Sequence, residues 1–132
     1  MIARENKQLM QRVFAELANG NSKPFVESLG EDVRWTVMGT TRWSGTYQGK
    51  QTVLADLLRP LTAQFADRYK ATAHRFIAED EYVSIEFRGQ VTTKAGRPYH
   101  NNYCWICRIA DGKVLELTEY MDTALVDTAF GS

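Results

Sequence analysis

The sequence predicts an α+β fold in which helices cover one face of a mainly antiparallel sheet. Apolar residues recur at helical spacing through the first half of the chain and at every second position through much of the second half. Turn residues at Asp80-Glu81, Ala95-Gly96 and Asp111-Gly112 divide that second half into hairpin-length runs. Helices first and a meander of strands afterwards is the order of an α+β domain, not of alternating parallel units.

Residues 4–18 place Leu9, Met10, Val13, Phe14 and Leu17 on one helical face, and Asn19-Gly20 stops the helix. Ser22 can cap a short second helix that tolerates Pro24 in its first turn and carries Phe25, Val26 and Leu29 as its apolar positions. In the strand 32–37, Val33, Trp35 and Val37 share one face, with Arg34 and Thr36 on the other. Residues 38–49 hold Gly39, Gly45 and Gly49 with Trp43 and Tyr47, and read as a loop packed by its own aromatics. A third helix over 50–65 turns Val53, Leu54, Leu57, Leu58, Leu61 and Phe65 inward, and Pro60 is expected to kink it. Strands follow at 70–79, 82–93, 98–110 and 113–122, and 123–132 is a short tail.

The length of 132 residues bounds this to one domain over 1–132, large enough to bury a core. Hydrophobic residues at 44% and charged residues at 24% are ordinary for a soluble globular chain. A formal net charge of +0 lacks the basic stripe that nucleic acid requires, and does little to keep copies apart. No run of roughly 18 apolar residues spans a membrane, and Met1 to Met10 lacks a signal-peptide core, so the expected compartment is the cytoplasm. Cys104 and Cys107 have redox-motif spacing. They lie in a strand, where residues three apart face opposite ways, rather than at a helix start where a thiolate is stabilised. No further ligands complete a zinc site, and neither metal nor cofactor is expected.

Alternation also names candidate site residues. Leu115, Leu117, Glu119 and Met121 share a face, so Glu119 is a carboxylate among apolar side chains. Burial without partners is costly, so the group must be hydrogen-bonded or protonated with a raised pKa. Such a carboxyl suits acid–base chemistry, and equally suits a structural role pinning neighbouring strands. Tyr99, Asn101, Tyr103, Trp105, Cys107 and Ile109 form one face of the preceding strand, combining bulk with hydrogen-bond donors. If that face meets Trp35, Val37, Phe87 and Glu119, the result is an aromatic-walled small-molecule pocket; the alternative is an aromatic core with dimer packing. His74 shares a face with Phe76 and is a further candidate for the wall, whereas His100 alternates away from it.

The stretches E-D-V-R-W (31–35), W-S-G-T-Y-Q-G-K (43–50), G-R-P-Y-H-N-N-Y-C-W (96–105) and D-G-K-V-L-E-L-T-E-Y-M-D-T (111–123) resemble the SnoaL-like, ketosteroid-isomerase-like branch of the nuclear transport factor 2 superfamily. That resemblance covers nearly the whole chain. It implies a cystatin-like cone, a strongly bent sheet with the three helices of the N-terminal half covering its concave face, packed as a homodimer sheet to sheet. Fold does not fix activity in such a family. The base carboxylate of ketosteroid isomerases falls at Val37 and their oxyanion-hole acid at Trp105, so that mechanism is not expected. Of the limonene epoxide hydrolase set, only the acid at Glu119 is matched.

Three functions remain open from the sequence. The first is a cofactor-independent isomerase, cyclase or dehydratase acting on a compact apolar oxygen-bearing molecule. There Glu119 would move a proton and Tyr103 and Asn101 would hold the substrate oxygen. Trp35, Val37, Phe87, Trp105 and His74 would line the site. The second is a non-catalytic binder of a hydrophobic metabolite, and the third is a homodimeric interaction module.

Overall fold

The computed structural model describes residues 2–131, and its centre is one six-stranded sheet with strand order β2-β1-β6-β5-β4-β3. The strands are β1 (Leu29–Val37), β2 (Gly45–Gln48), β3 (Lys70–Glu79), β4 (Tyr82–Gln90), β5 (Asn102–Ala110) and β6 (Lys113–Met121). Every neighbouring pair is antiparallel except β1 with β6, which is parallel. The helical segments are α1 (Ile2–Leu17), α2 (Lys23–Ser28), α3 (Lys50–Thr52), a π-helical stretch (Val53–Leu58), α4 (Arg59–Thr62) and α5 (Thr123–Phe130). Among the described residues, no helix is long and apolar enough to cross a membrane.

The predicted faces pack as the periodicity demands. Helix α1 buries Met10, Val13, Phe14 and Leu17, and lies against β3 and β4. Asn6 is buried on the same helix and donates from Nδ2 to the Ile109 carbonyl at 2.9 Å, tying α1 to the end of β5. Inside the cone, Phe14 meets Phe87 at 4.9 Å and Trp105 at 5.5 Å between ring centroids. Phe25 from α2 meets Trp105 at 5.0 Å and Trp35 at 5.7 Å. The two cysteines are free, with Cys107 in the core and Cys104 beside Ser84 on the other face.

Two irregularities change which side chains look inward. Between β3 and β4 the register slips from Ala73↔Phe87 to Arg75↔Glu86, which leaves His74 as the extra residue of a bulge. His74 is exposed there and is not in the wall of the site. Between β5 and β6 the pairing passes from Arg108↔Glu116 to Ile109↔Val114. Leu115 is the extra residue, and Val114 is the side chain fully buried at that end. Bulges bend strands and raise local twist, which is how a six-stranded sheet wraps into a cone.

Three other expectations are corrected. The loop 38–49 contains strand β2, which pairs Trp35 with Tyr47 and Val37 with Gly45. The tail is helix α5: Asp122 caps it, its Oδ1 accepting the Leu125 N–H at 3.3 Å. Phe130 on that helix packs edge-on to Tyr99 at 4.8 Å, and Trp43 lies 5.9 Å from it. The helix expected over 50–65 does not simply kink at Pro60 and ends at Thr62. Its middle widens into π-helix, closing with the Arg59 N–H on the Leu54 carbonyl. In a regular α-helix the Pro60 ring would strike the carbonyl four residues back, and the widened turn before it relieves that clash.

Candidate functional site

The pairing of β5, β6 and β1 determines where Glu119 stands. Phe76, Ile85, Trp105, Glu119 and Val37 form one row across five strands on the concave face. Glu119 is therefore a carboxylate in the middle of an otherwise apolar row. Rows on either side supply Leu117 and Trp35, and Phe87, Tyr103 and Met121.

Above this floor is a cavity of about 680 Å³, in the size range of small-molecule sites. Its floor is Trp35, Phe87, Tyr103, Trp105 and Glu119. Its roof is Phe25 and Val26 of α2 with Leu54, Leu57 and Leu58 of the π-helical stretch. A second, much smaller cavity of about 30 Å³ lies on the other side of Glu119, beside Val37, Tyr99, Tyr103 and Met121. What remains accessible of Glu119 opens on these two spaces.

Burial pushes the Glu119 carboxyl up from its ordinary 4.5 to about 7. Two indoles oppose that shift. The Trp105 N–H favours the charged carboxyl but falls outside hydrogen-bonding geometry and is buried without a partner. Trp35 donates from Nε1 to Glu119 Oε1 at 3.1 Å. The carboxyl is thus held by one donor yet remains able to gain and lose a proton near neutrality, the condition for general acid–base work.

Three tyrosine hydroxyls cluster beside it. Tyr103 interacts with both Tyr69 and Tyr99, and its ring stacks on Phe87 at 4.8 Å. Burial raises the pKa of each of the three, so all remain neutral O–H donors. Tyr69 precedes β3 and reaches the cavity because its phenol lies directly over Gly89 of β4, where any Cβ would overlap the ring. Phe65 stacks on Tyr69 at 5.8 Å and extends the wall.

The cavity brings together Glu119, Tyr103, Trp35, Phe87 and Trp105. Val37 borders only the smaller space. The structure does not bring Asn101 or His74 to either cavity. Asn101 is 0% exposed and serves the backbone. Its Nδ2 donates to the Tyr99 hydroxyl at 3.1 Å and the Asp122 carbonyl at 3.0 Å, and its Oδ1 accepts the Asp122 N–H at 3.1 Å. It fastens the start of α5 and orients Tyr99. Tyr69 and the roof leucines were not singled out by sequence as site residues; the one local signal for Tyr69 is a glycine inside β4. Among the described residues, no group of three or more His, Cys, Asp or Glu side chains is placed to hold a metal ion.

The sequence profile of the SnoaL-like domain matches residues 10–117. The chain belongs to the SnoaL-like domain family. Solved structures agree with that membership in fold. An NTF2-like protein of unknown function from Burkholderia pseudomallei K96243 superposes with a TM-score of 0.81 at 21% identity, over 96% of this chain and 98% of that one. A protein described as a SnoaL-like polyketide cyclase, from Jannaschia sp. CCS1, gives 0.80 at 18% identity, over 99% and 94%. One described as an isomerase, from Bacillus subtilis, gives 0.77 at 21%, over 100% and 98%. No curated protein matches this SnoaL-like chain by sequence.

The buried carboxyl makes stability depend on pH with a definite sign. Glu119 ionises near 4.5 when unfolded and near 7 when folded, so its contribution is complete below pH 4.5 and is lost as pH rises through 7. Glu119→Gln is neutral at every pH. Its melting temperature is expected to climb relative to wild type from about pH 4.5 to about pH 8, the difference reaching the equivalent of on the order of 3 kcal/mol. Parallel thermal melts across that range check this, and a pH-independent difference would contradict it.

Proposed function

We propose that this SnoaL-like protein is a cofactor-independent acid–base enzyme for a compact apolar molecule bearing a carbonyl or similar oxygen. The observation that carries the reading is a carboxyl poised near pH 7 at the floor of a largely apolar cavity. As a carboxylate, Glu119 takes a proton from carbon next to the carbonyl. Tyr103 donates its hydroxyl hydrogen bond to the oxygen on which negative charge develops. The protonated carboxyl then returns the proton to another position, for an isomerisation, or delivers it to a leaving hydroxyl, for a dehydration. Phe87, Trp35 and Trp105 exclude water from the reacting atoms.

A second reading has one observation in its favour: the Trp35–Glu119 hydrogen bond, which also suits a structural carboxylate in a non-catalytic binding protein. Both readings include pairing of two copies through the convex sheet face, which is supported by the exposure of Ile77, Ile106 and Tyr120 there. A native mass spectrum of monomer alone at micromolar concentration would count against that pairing.

Deuterium exchange into 2-tetralone, a compact apolar ketone with acidic α-hydrogens, separates the two readings. Wild type is expected to accelerate exchange over buffer, with the rate rising through pH 7 as Glu119 ionises. Glu119→Gln is expected to lose about 10²–10⁴-fold of that acceleration while still binding the ketone. Binding without acceleration by wild type would favour the binding protein.

A further inference from the structure

The rim of the large cavity is chemically unlike its floor. Lys23 of α2, Arg59 of α4 and Arg68 in the lead-in to β3 all border it, together with a single acid, Asp67. All four are exposed. The ion pairs among the described residues are Arg75–Glu86 and Arg108–Glu81, and neither involves a rim residue. Asp67 is engaged otherwise, its Oδ1 accepting the Thr92 N–H at 2.8 Å. A chain of formal net charge +0 thus gathers three cations, without ion-pair partners among the described residues, around the opening of a large apolar cavity.

Arg68 is placed there by packing. Its aliphatic stem lies against Gly20, where a Cβ would come within 2.7 Å of Arg68 Cγ and closer still to Cδ. Gly20 also has a φ of +79°, a conformation that favours glycine. The turn after α1 therefore combines a left-handed backbone with a surface flat enough for the arginine stem. This joins that turn to the segment leading into β3 and fixes the arginine stem beside the cavity.

We infer that the natural ligand is an apolar organic acid that enters body first, its carboxylate remaining at the rim with Lys23, Arg59 and Arg68. This rests on the cavity being a small-molecule site and adds the charge and direction of its ligand. Guanidinium groups match a carboxylate in a planar, bidentate manner, and lysine adds a mobile point charge. The reverse orientation would press the ligand's carboxylate against Glu119 in an apolar floor, desolvating it beside a like charge. The rim cations also draw anions to the opening, an effect that salt weakens.

The test is isothermal titration with 1-naphthaleneacetate and with 1-naphthaleneacetamide, which share an aromatic body and differ in charge. The wild-type protein is expected to bind the acid about tenfold more tightly than the amide at low salt, with the preference shrinking at high salt. Lys23→Gln/Arg59→Gln/Arg68→Gln removes all three rim charges while keeping the start of each side-chain stem, and is expected to abolish the preference for the acid over the amide. Equal affinities in wild type, or a preference that survives the triple variant, would overturn the rim assignment and leave the cavity standing. Failure of both compounds to bind would overturn the cavity as a small-molecule site, and the rim assignment with it.

Discussion

A carboxylate placed in the middle of an apolar sheet row is the constraint around which this cone is organised. Burying such a group carries a solvation cost that only hydrogen bonds, protonation or a polar ligand can offset. The fold supplies part of each. Trp35 donates one hydrogen bond at 3.1 Å, burial moves the proton equilibrium to about 7, and two cavities leave room for a ligand or water beside the carboxyl. A leucine in that row would remove the desolvation cost and the proton together. The same desolvation that opposes stability above neutral pH makes Glu119 a usable acid and base.

The remaining structure serves to hold that floor and roof it. Parallel pairing of β1 with β6 sets Val37 beside Glu119 and brings Trp35 within reach, while antiparallel pairing with β5 sets Trp105 directly opposite. Phe14 and Phe25 reach down from α1 and α2 onto Trp105, so the floor aromatics are packed from above as well as from the sides. The π-helical turn enforced near Pro60 presents Leu54, Leu57 and Leu58 to the cavity. Polar atoms at the far end are occupied by Asn101, while Tyr103, Glu119 and the unpartnered Trp105 N–H are the polar groups of the floor.

How much of this was legible in the sequence depended on how local the cause is. Strict alternation in β4, β5 and most of β6 places Glu119, Tyr103, Trp105 and Phe87 on one face, because one face of a bent sheet must be apolar. Alternation reports a face but not a height along the cone, and Asn101 was misplaced for that reason. His74 and Leu115 were misread because a bulge shifts the register without any distinctive residue to announce it. Helix α5 carries a cap at Asp122 and a glycine stop at Gly131, signals present in the sequence but spread over a segment of only eight helical residues. The rim cations come from three separate elements, and only the folded chain brings them together.

The most direct test of this account is the ionisation of Glu119 itself, followed by NMR of the protein carrying ¹³C-labelled glutamate carboxyls. One carboxyl is expected to show a midpoint near 7, absent in Glu119→Gln, and moved to higher pH in Trp35→Phe because the hydrogen bond that favours the charged form is gone. A midpoint near the ordinary 4.5 would contradict it, leaving a solvated structural carboxylate in place of a proton-transfer group.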